Sequence, residues 1–157
     1  MLLYLARHGD AAHPAAGKPS ILTSKGQAEV ALVASHLAEQ ELKIAHLWHS
    51  PRDRAVQTAA IYADLLKVPK TAIEAKKSLG PDGDAEALYQ EIVDAKLENL
   101  FVVTHLPLLE EFVSLLVTGS DHLPHVAFST GSVVCFEYKE IWKWLWSVNP
   151  ASLKNKT

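Results

Sequence analysis

The chain opens on a wholly apolar run, Leu2 to Ala6, that stops at Arg7-His8-Gly9. A run without polar alternation predicts a central strand covered on both faces. Ser24, with Gln27 three residues on, has the form of a capping box, and Val30, Val33, Ala34, Leu37 and Ala38 then recur at helical spacing. Ala45 to His49 predicts a second strand. Ser50-Pro51 follows as an N-cap residue and a proline at the first helical position, leading into Ala55, Ala59, Tyr62, Ala63 and Leu66 on one helix face that ends before Pro69. Thr71 to Glu74 predicts a brief strand, and Pro81-Asp82-Gly83-Asp84 a turn, with Asp84 capping a helix to about Leu97. Leu100 to Thr104 is again wholly apolar until its last residue, and Pro107 opens a helix carrying Leu108, Phe112, Leu115 and Leu116. Val133 to Tyr138 and Ile141 to Val148 finish the pattern as strands, the pair forming an antiparallel hairpin, and the last residues read as frayed.

Strand and helix in alternation predict an α/β fold: three α/β/α layers with a mostly parallel central sheet, since parallel neighbours need crossover connections. A length of 157 residues suits one domain, residues 1–157, with one core and one site. Trp142, Trp144 and Trp146 alternate with other residues, so the three indoles are expected on one sheet face, with core packing preferred over a partner surface.

Composition narrows the function classes. With 48% hydrophobic and 21% charged residues the chain has a globular composition. A net charge of −3 without any dense Lys/Arg run argues against nucleic acid as a partner. The one cysteine, Cys135, lies in an apolar run and reads as buried and structural. No segment is long enough to span a bilayer and no export leader is read, so the expected compartment is the cytoplasm. His46 and His49 are three apart, as are His122 and His125, but no third convergent ligand accompanies either pair, and no metal or other cofactor is expected. His13 and His36 carry no chemical signal.

Ligands of open α/β sheets bind beyond the carboxyl ends of the strands. Three predicted strand ends carry polar residues: Arg7-His8-Gly9, Ser50-Pro51-Arg52-Asp53-Arg54, and Thr104-His105. Arg54 near a helix N-terminus is opposed by the helix dipole, and a bound phosphate would compensate, because free N–H groups and a planar guanidinium fork both match its oxygens. Taken alone, Arg54 reads at least as well as a solvated arginine balanced by Asp53. His8 in that company reads as a nucleophile: an imidazole with a pKa near 6.5 is mostly unprotonated at neutral pH, and Arg7 favours that form further. Attack on phosphorus would give a phosphohistidine intermediate, and Arg7, Arg54 and His105 are the candidate donors to the transition-state oxygens. Gly9 permits close backbone approach to a ligand.

At Arg7-His8-Gly9, and at Arg54-Ala55-Val56-Gln57-Thr58 preceded by Ser50-Pro51, the chain resembles the histidine phosphatase superfamily, with its phosphoglycerate-mutase-like fold. Through Arg7-His8-Gly9-Asp10, Leu79-Gly80-Pro81-Asp82-Gly83-Asp84 and Thr104-His105-Leu106-Pro107-Leu108 it is similar to the small bacterial SixA-type phosphohistidine phosphatases over nearly its whole length. The resemblance implies His8 as the phosphorylated residue, with Arg7, Arg54 and His105 binding the phosphoryl oxygens and His105 assisting by charge when protonated. Arg52 does not fall on the family's arginine position. Similar proteins can carry an arginine before the Leu-Thr that opens the first helix; here Ser20-Ile21-Leu22-Thr23 has none, and Lys18 is the nearest cation.

Ester-cleaving relatives generally protonate the departing alkoxide with a carboxylic acid from an inserted segment. The stretch from Lys76 to Asp84 is short and offers only Asp82 and Asp84. A phosphoramidate demands less, because an imidazole leaves with little help. Short connections leave little material for a lid, so the expected substrate is phosphohistidine presented by a protein. The resemblance implies a histidine-containing phosphotransfer domain of a signalling relay. A small-molecule phosphomonoesterase and a non-catalytic phosphate-binding module stand as alternatives.

Overall fold

The computed structural model describes residues 1–121 and 127–154. Its elements are β1 (Leu2–Arg7), α1 (Ser24–Glu39), β2 (His46–His49), α2 (Asp53–Leu65), β3 (Ile73–Ala75), α3 (Ala85–Ala95), β4 (Leu100–Thr104), α4 (Leu108–Thr118), β5 (Val133–Tyr138), β6 (Trp142–Val148) and α5 (Pro150–Lys154), with short 3-10 turns at Lys70–Ala72 and Lys77–Leu79. The six strands make one sheet in the order β3-β2-β4-β1-β5-β6. Pairing is parallel from β3 through β1, whereas β5 runs antiparallel to both β1 and β6. The chain thus has the expected mostly parallel α/β sheet.

The unbroken apolar runs are explained by a core on each face. Tyr4, Ala6, Phe101, Val103, Val133 and Cys135 point towards α1, α2 and α5, packing on Val30, Leu37, Ala59, Tyr62 and Leu153. Leu3, Leu5, Leu100, Val102, Val134 and Phe136 point the other way, onto Leu88, Ile92, Leu109, Phe112 and Leu116 of α3 and α4. Burying one such aliphatic or aromatic side chain is worth about 1.5–3 kcal/mol, so a strand buried on both faces anchors whatever its end carries. Cys135 is buried as expected, and burial pushes its thiol up to about 12.

Several expectations shift. The cap of α1 is Thr23, not Ser24: its hydroxyl accepts from Gly26 N at 2.9 Å and donates to Asp10 Oδ2 at 2.7 Å. Ser50 does not cap α2 and Pro51 lies outside it; Arg52 takes the N-cap position without a side-chain bond, because the serine hydroxyl is engaged elsewhere. Asp84 does cap α3, accepting from Ala87 N at 2.8 Å, and that helix stops at Ala95, where Lys96 turns left-handed. The brief third strand starts two residues later than expected and ends one later, because Lys70–Ala72 winds into a 3-10 turn. Residues 150–154 are helical, with Leu153 buried in the core, and the remainder of the end expected to fray, residues 155–157, lies outside the described residues.

The three indoles do not share a face. Cys135 pairs with Trp146 while its neighbour Phe136 pairs with Trp144, leaving Leu145 as the extra residue of a bulge. One inserted residue reverses the side-chain alternation. Trp146 accordingly packs with the α1/α2 core, and Trp142 and Trp144 pack with the α3/α4 core, all three half-buried.

Candidate active site

Three adjacent parallel strands, β2, β4 and β1, end at the same edge of the sheet, with Arg7 level with Thr104 and His49 level with Val103. The residues that follow them, Ser50, His105 and His8, are therefore brought together by register alone. The order also reverses here: the chain steps outward from β1 to β2 and β3, returns to insert β4, and then places β5 on the far side of β1. That is where doubly wound sheets open a crevice.

His8 is held by its backbone and its ring. Its N–H donates to Thr104 O at 3.1 Å and its carbonyl accepts from Gly131 N at 3.0 Å. Its Nδ1 lies 2.8 Å from the Gly9 carbonyl. A carbonyl can only accept, so Nδ1 carries the proton and Nε2 keeps its lone pair. Burial, then the charges of Arg54 and Arg7, lowers the His8 pKa to about 4 against the opposing pull of the Gly9 bond and Asp10. The unprotonated form is thus favoured more strongly than the ordinary value read from sequence.

His105 packs its ring against that of His8, centroids 4.9 Å apart. Its Nε2 is 2.7 Å from Ser50 Oγ, which also accepts from Arg52 N at 3.2 Å. A serine hydroxyl that donates to Nε2 puts the His105 proton on Nδ1. That Nδ1 is buried and has no partner among the described residues. Burial, reinforced by His8 and the Arg54, Arg52 and Arg7 charges, lowers the His105 pKa to about 3. Arg7 leaves a second orphan: its Nη1 donates to Phe128 O at 2.6 Å, but its buried Nε finds no partner. Buried unsatisfied donors are costly and ask for an acceptor. The Arg7 and Arg54 pKa values are both lowered, chiefly by burial, which likewise calls for an anion.

Arg7, His8, Asp10, His13, Ser20, Arg54 and Thr130 line a pocket of about 450 Å3. His105, 1% exposed, adjoins it by packing its ring on that of His8. All four expected residues thus collect at one place. Lys18 does not line the pocket, and Ile21, in the place of the missing arginine, is exposed. Arg52, Asp82 and Lys77 line a separate cleft, so Asp82 is not in the pocket that holds His8.

Sequence reasoning missed three supporting residues. Thr58 accepts from Gly9 N at 3.0 Å and donates to Arg54 O at 2.7 Å, tying the His8 loop to the helix that carries Arg54. Gln57 Oε1 accepts from Leu22 N at 2.8 Å and pins the long loop before α1. Both sit in the segment quoted for the arginine, four and three residues after it, a spacing that keeps them near its helix face. Ser50 was read as a cap and is instead the partner of His105. A Cβ on Gly9 would approach Val30 Cγ2 to 2.6 Å, so the glycine here serves close packing against α1. Among the described residues no group of three or more His, Cys, Asp or Glu side chains is placed to hold a metal ion; His122 and His125 lie outside them. No helix among the described residues is long and apolar enough to cross a membrane.

Residues 3–79 match the histidine phosphatase superfamily (branch 1). The phosphohistidine phosphatase SixA of Escherichia coli K12 is 32% identical over 160 residues, covering 98% of this chain and 97% of its own. The structure of the protein histidine phosphatase SixA complexed with tungstate matches with a TM-score of 0.85 at 31% identity, over 98% of this chain and 99% of that one. The alpha-ribazole phosphatase of Shigella flexneri matches with a TM-score of 0.74 over 92% and 95% of the two chains, and at 14% identity that likeness speaks for the fold alone.

Proposed function

Because this chain belongs to the histidine phosphatase superfamily and is a phosphatase, we propose that it hydrolyses phosphohistidine on a protein through a covalent intermediate on His8. The observation that carries the reading is the tautomer lock. Nδ1–H on the Gly9 carbonyl leaves Nε2 unprotonated beside Arg7 and Arg54.

In the first step Nε2 attacks phosphorus as the P–N bond to the substrate imidazole breaks, and that nitrogen leaves with the bonding pair. In the second, water attacks the phosphoryl group, loses a proton to solvent or to phosphate, and returns His8 with its lone pair. Between the two, positive charge on the phosphorylated ring is shared through Nδ1–H with the Gly9 carbonyl. The developing charge on the equatorial oxygens is met by Arg54 and by two buried groups without partners among the described residues, Arg7 Nε and, when it carries the proton, His105 Nδ1. An arriving dianion raises the pKa of His105, so a ring that burial otherwise holds neutral becomes able to carry a proton towards the phosphoryl group.

One further point supports a phosphoramidate over an ester. Asp82, the one acid of the short 76–84 stretch that does not cap a helix, lines a different cleft, which leaves the pocket without a carboxyl from that stretch to protonate an alkoxide. That the SixA it matches at 31% identity was solved with tungstate, a tetrahedral oxyanion of phosphate's shape, supports a phosphoryl site for either substrate. The test is phosphate release from a histidine-phosphorylated phosphotransfer domain and from a sugar phosphate, side by side and with chelator present. Preference for the protein by orders of magnitude supports the proposal. Comparable turnover of the sugar phosphate would move the reading to a small-molecule phosphomonoesterase, and absence of both turnover and trapped phospho-His8 to a binding module.

A further inference from the structure

Beside the phosphate pocket lies a second cleft, of about 320 Å3, lined by Pro51, Arg52, Lys77, Gly80, Asp82 and Gly83 among others. Its two cations come from different elements: Arg52 from the N-cap of α2, Lys77 from the 3-10 turn before α3. Both are exposed, and neither has a side-chain hydrogen bond or ion pair among the described residues. The contrast with the adjacent Lys76 is direct. That side chain pairs with Glu74 at 3.1 Å and Glu91 at 3.5 Å and lies over the Trp48 ring.

Arg52 neighbours the pocket along the chain: its backbone N–H donates to Ser50 Oγ, which is bonded to His105 Nε2, and two residues on Arg54 lines the pocket with His8. A side chain resting against Arg52 therefore stands near a group seated on His8. The floor of the cleft is small residues and backbone, which lets a side chain from outside come close. Asp82 is the one carboxylate facing the two cations.

We propose that Arg52 and Lys77 form a substrate-recognition site for acidic side chains that flank the phosphohistidine of the protein substrate. The inference rests on the function proposed above and adds what the protein is chosen by. A carboxylate fits better than a second phosphate for two reasons. The cations are exposed, with no buried donor to close around a dianion, and Asp82 repels a dianion more than a single negative charge. Exposed charges of this kind act on encounter and on KM rather than on the chemical step.

The test uses two synthetic phosphohistidine peptides, one with glutamates on both sides of the phosphohistidine and one with glutamines there, together with phosphoimidazole. The unaltered chain should process the glutamate peptide with a kcat/KM about tenfold above the glutamine peptide at low salt, the difference lying in KM and shrinking as salt is added. Arg52→Gln with Lys77→Gln should erase that preference while leaving phosphoimidazole turnover within twofold. An unaltered preference in the double variant would overturn the site. So would an equal loss on phosphoimidazole, which would make Arg52 part of the catalytic pocket, or a KM increase confined to a sugar bisphosphate, which would make the cleft a phosphate subsite. Failure of the unaltered chain on all three phosphoramidates would instead remove the underlying function.

Discussion

In the proposed mechanism the Nε2 lone pair of His8 is available for attack only while the ring is neutral, so the acid limb of activity should report the His8 pKa. With that pKa near 4, kcat/KM for phosphoimidazole, corrected for its own acid hydrolysis, is expected to stay level from neutral pH to about pH 5 and to fall below it. A midpoint near the ordinary histidine value of 6.5 would mean that the ring is not buried between the two arginines. Arg54 and Arg52, two residues apart, separate catalysis from surroundings, since only Arg54 lines the pocket with His8. Arg54→Ala should lower kcat on phosphoimidazole by about 10²–10³, the usual cost of a lost oxyanion donor, and Arg52→Ala by less than about threefold. Stopped-assay phosphate release distinguishes the two. At this scale the sequence named the four side chains that the fold brings together because chemistry restricts residue type: few side chains can attack phosphorus, and fewer can grip its oxygens. It missed Ser50 and Thr58 because a hydroxyl has many uses, and which one it takes depends on a neighbour 55 or 49 positions away.

Elements hold those side chains in place through a small number of junctions. The loop between β1 and α1 returns to the pocket because Thr23 both caps the helix and fastens Asp10: its N–H bonds Asp10 O at 3.0 Å and its hydroxyl bonds Asp10 Oδ2. Thr23→Ala removes the cap and should cost about 1 kcal/mol, or roughly 2–4 °C in melting temperature for a chain of this size. Ser24→Ala, at the position the local pattern suggests, should change it by less than half as much, and differential scanning calorimetry of the two variants decides between them. Strand positions were legible because burial on both faces writes an unbroken apolar run, and Leu100–Thr104 came out residue for residue. Helix starts were not, because Thr23 and Ser24 are chemically alike and only the fold decides which hydroxyl meets a free N–H. The bulge at Leu145 was equally hidden: a strand of alternating tryptophans looks regular until its pairing with Cys135 and Phe136 is known.

Across the whole molecule, the pocket's two buried histidines work against the fold in acid. Two histidines are buried neutral, with pKa values near 4 and 3, while in the unfolded chain they return to about 6.5. Between pH 6.5 and about 4 the unfolded chain therefore binds more protons than the folded one, so stability falls as pH is lowered through that window. Arg7 Nε and His105 Nδ1 are buried without a protein partner among the described residues. An oxyanion that partners them binds the folded state alone, and by linkage stabilises it by about 2.7 kcal/mol when present at a hundred times its dissociation constant. For a chain of this size that corresponds to a rise of roughly 5–10 °C in melting temperature with saturating inorganic phosphate at pH 7. The bound anion should also flatten the acid dependence, because a partnered His105 takes up its proton in the folded state too. Arg54→Ala should abolish most of the rise and Arg52→Ala little of it. A melting temperature indifferent to phosphate would show that the orphaned donors do not face a common oxyanion, and with them would go the geometry on which phosphoryl transfer to His8 depends.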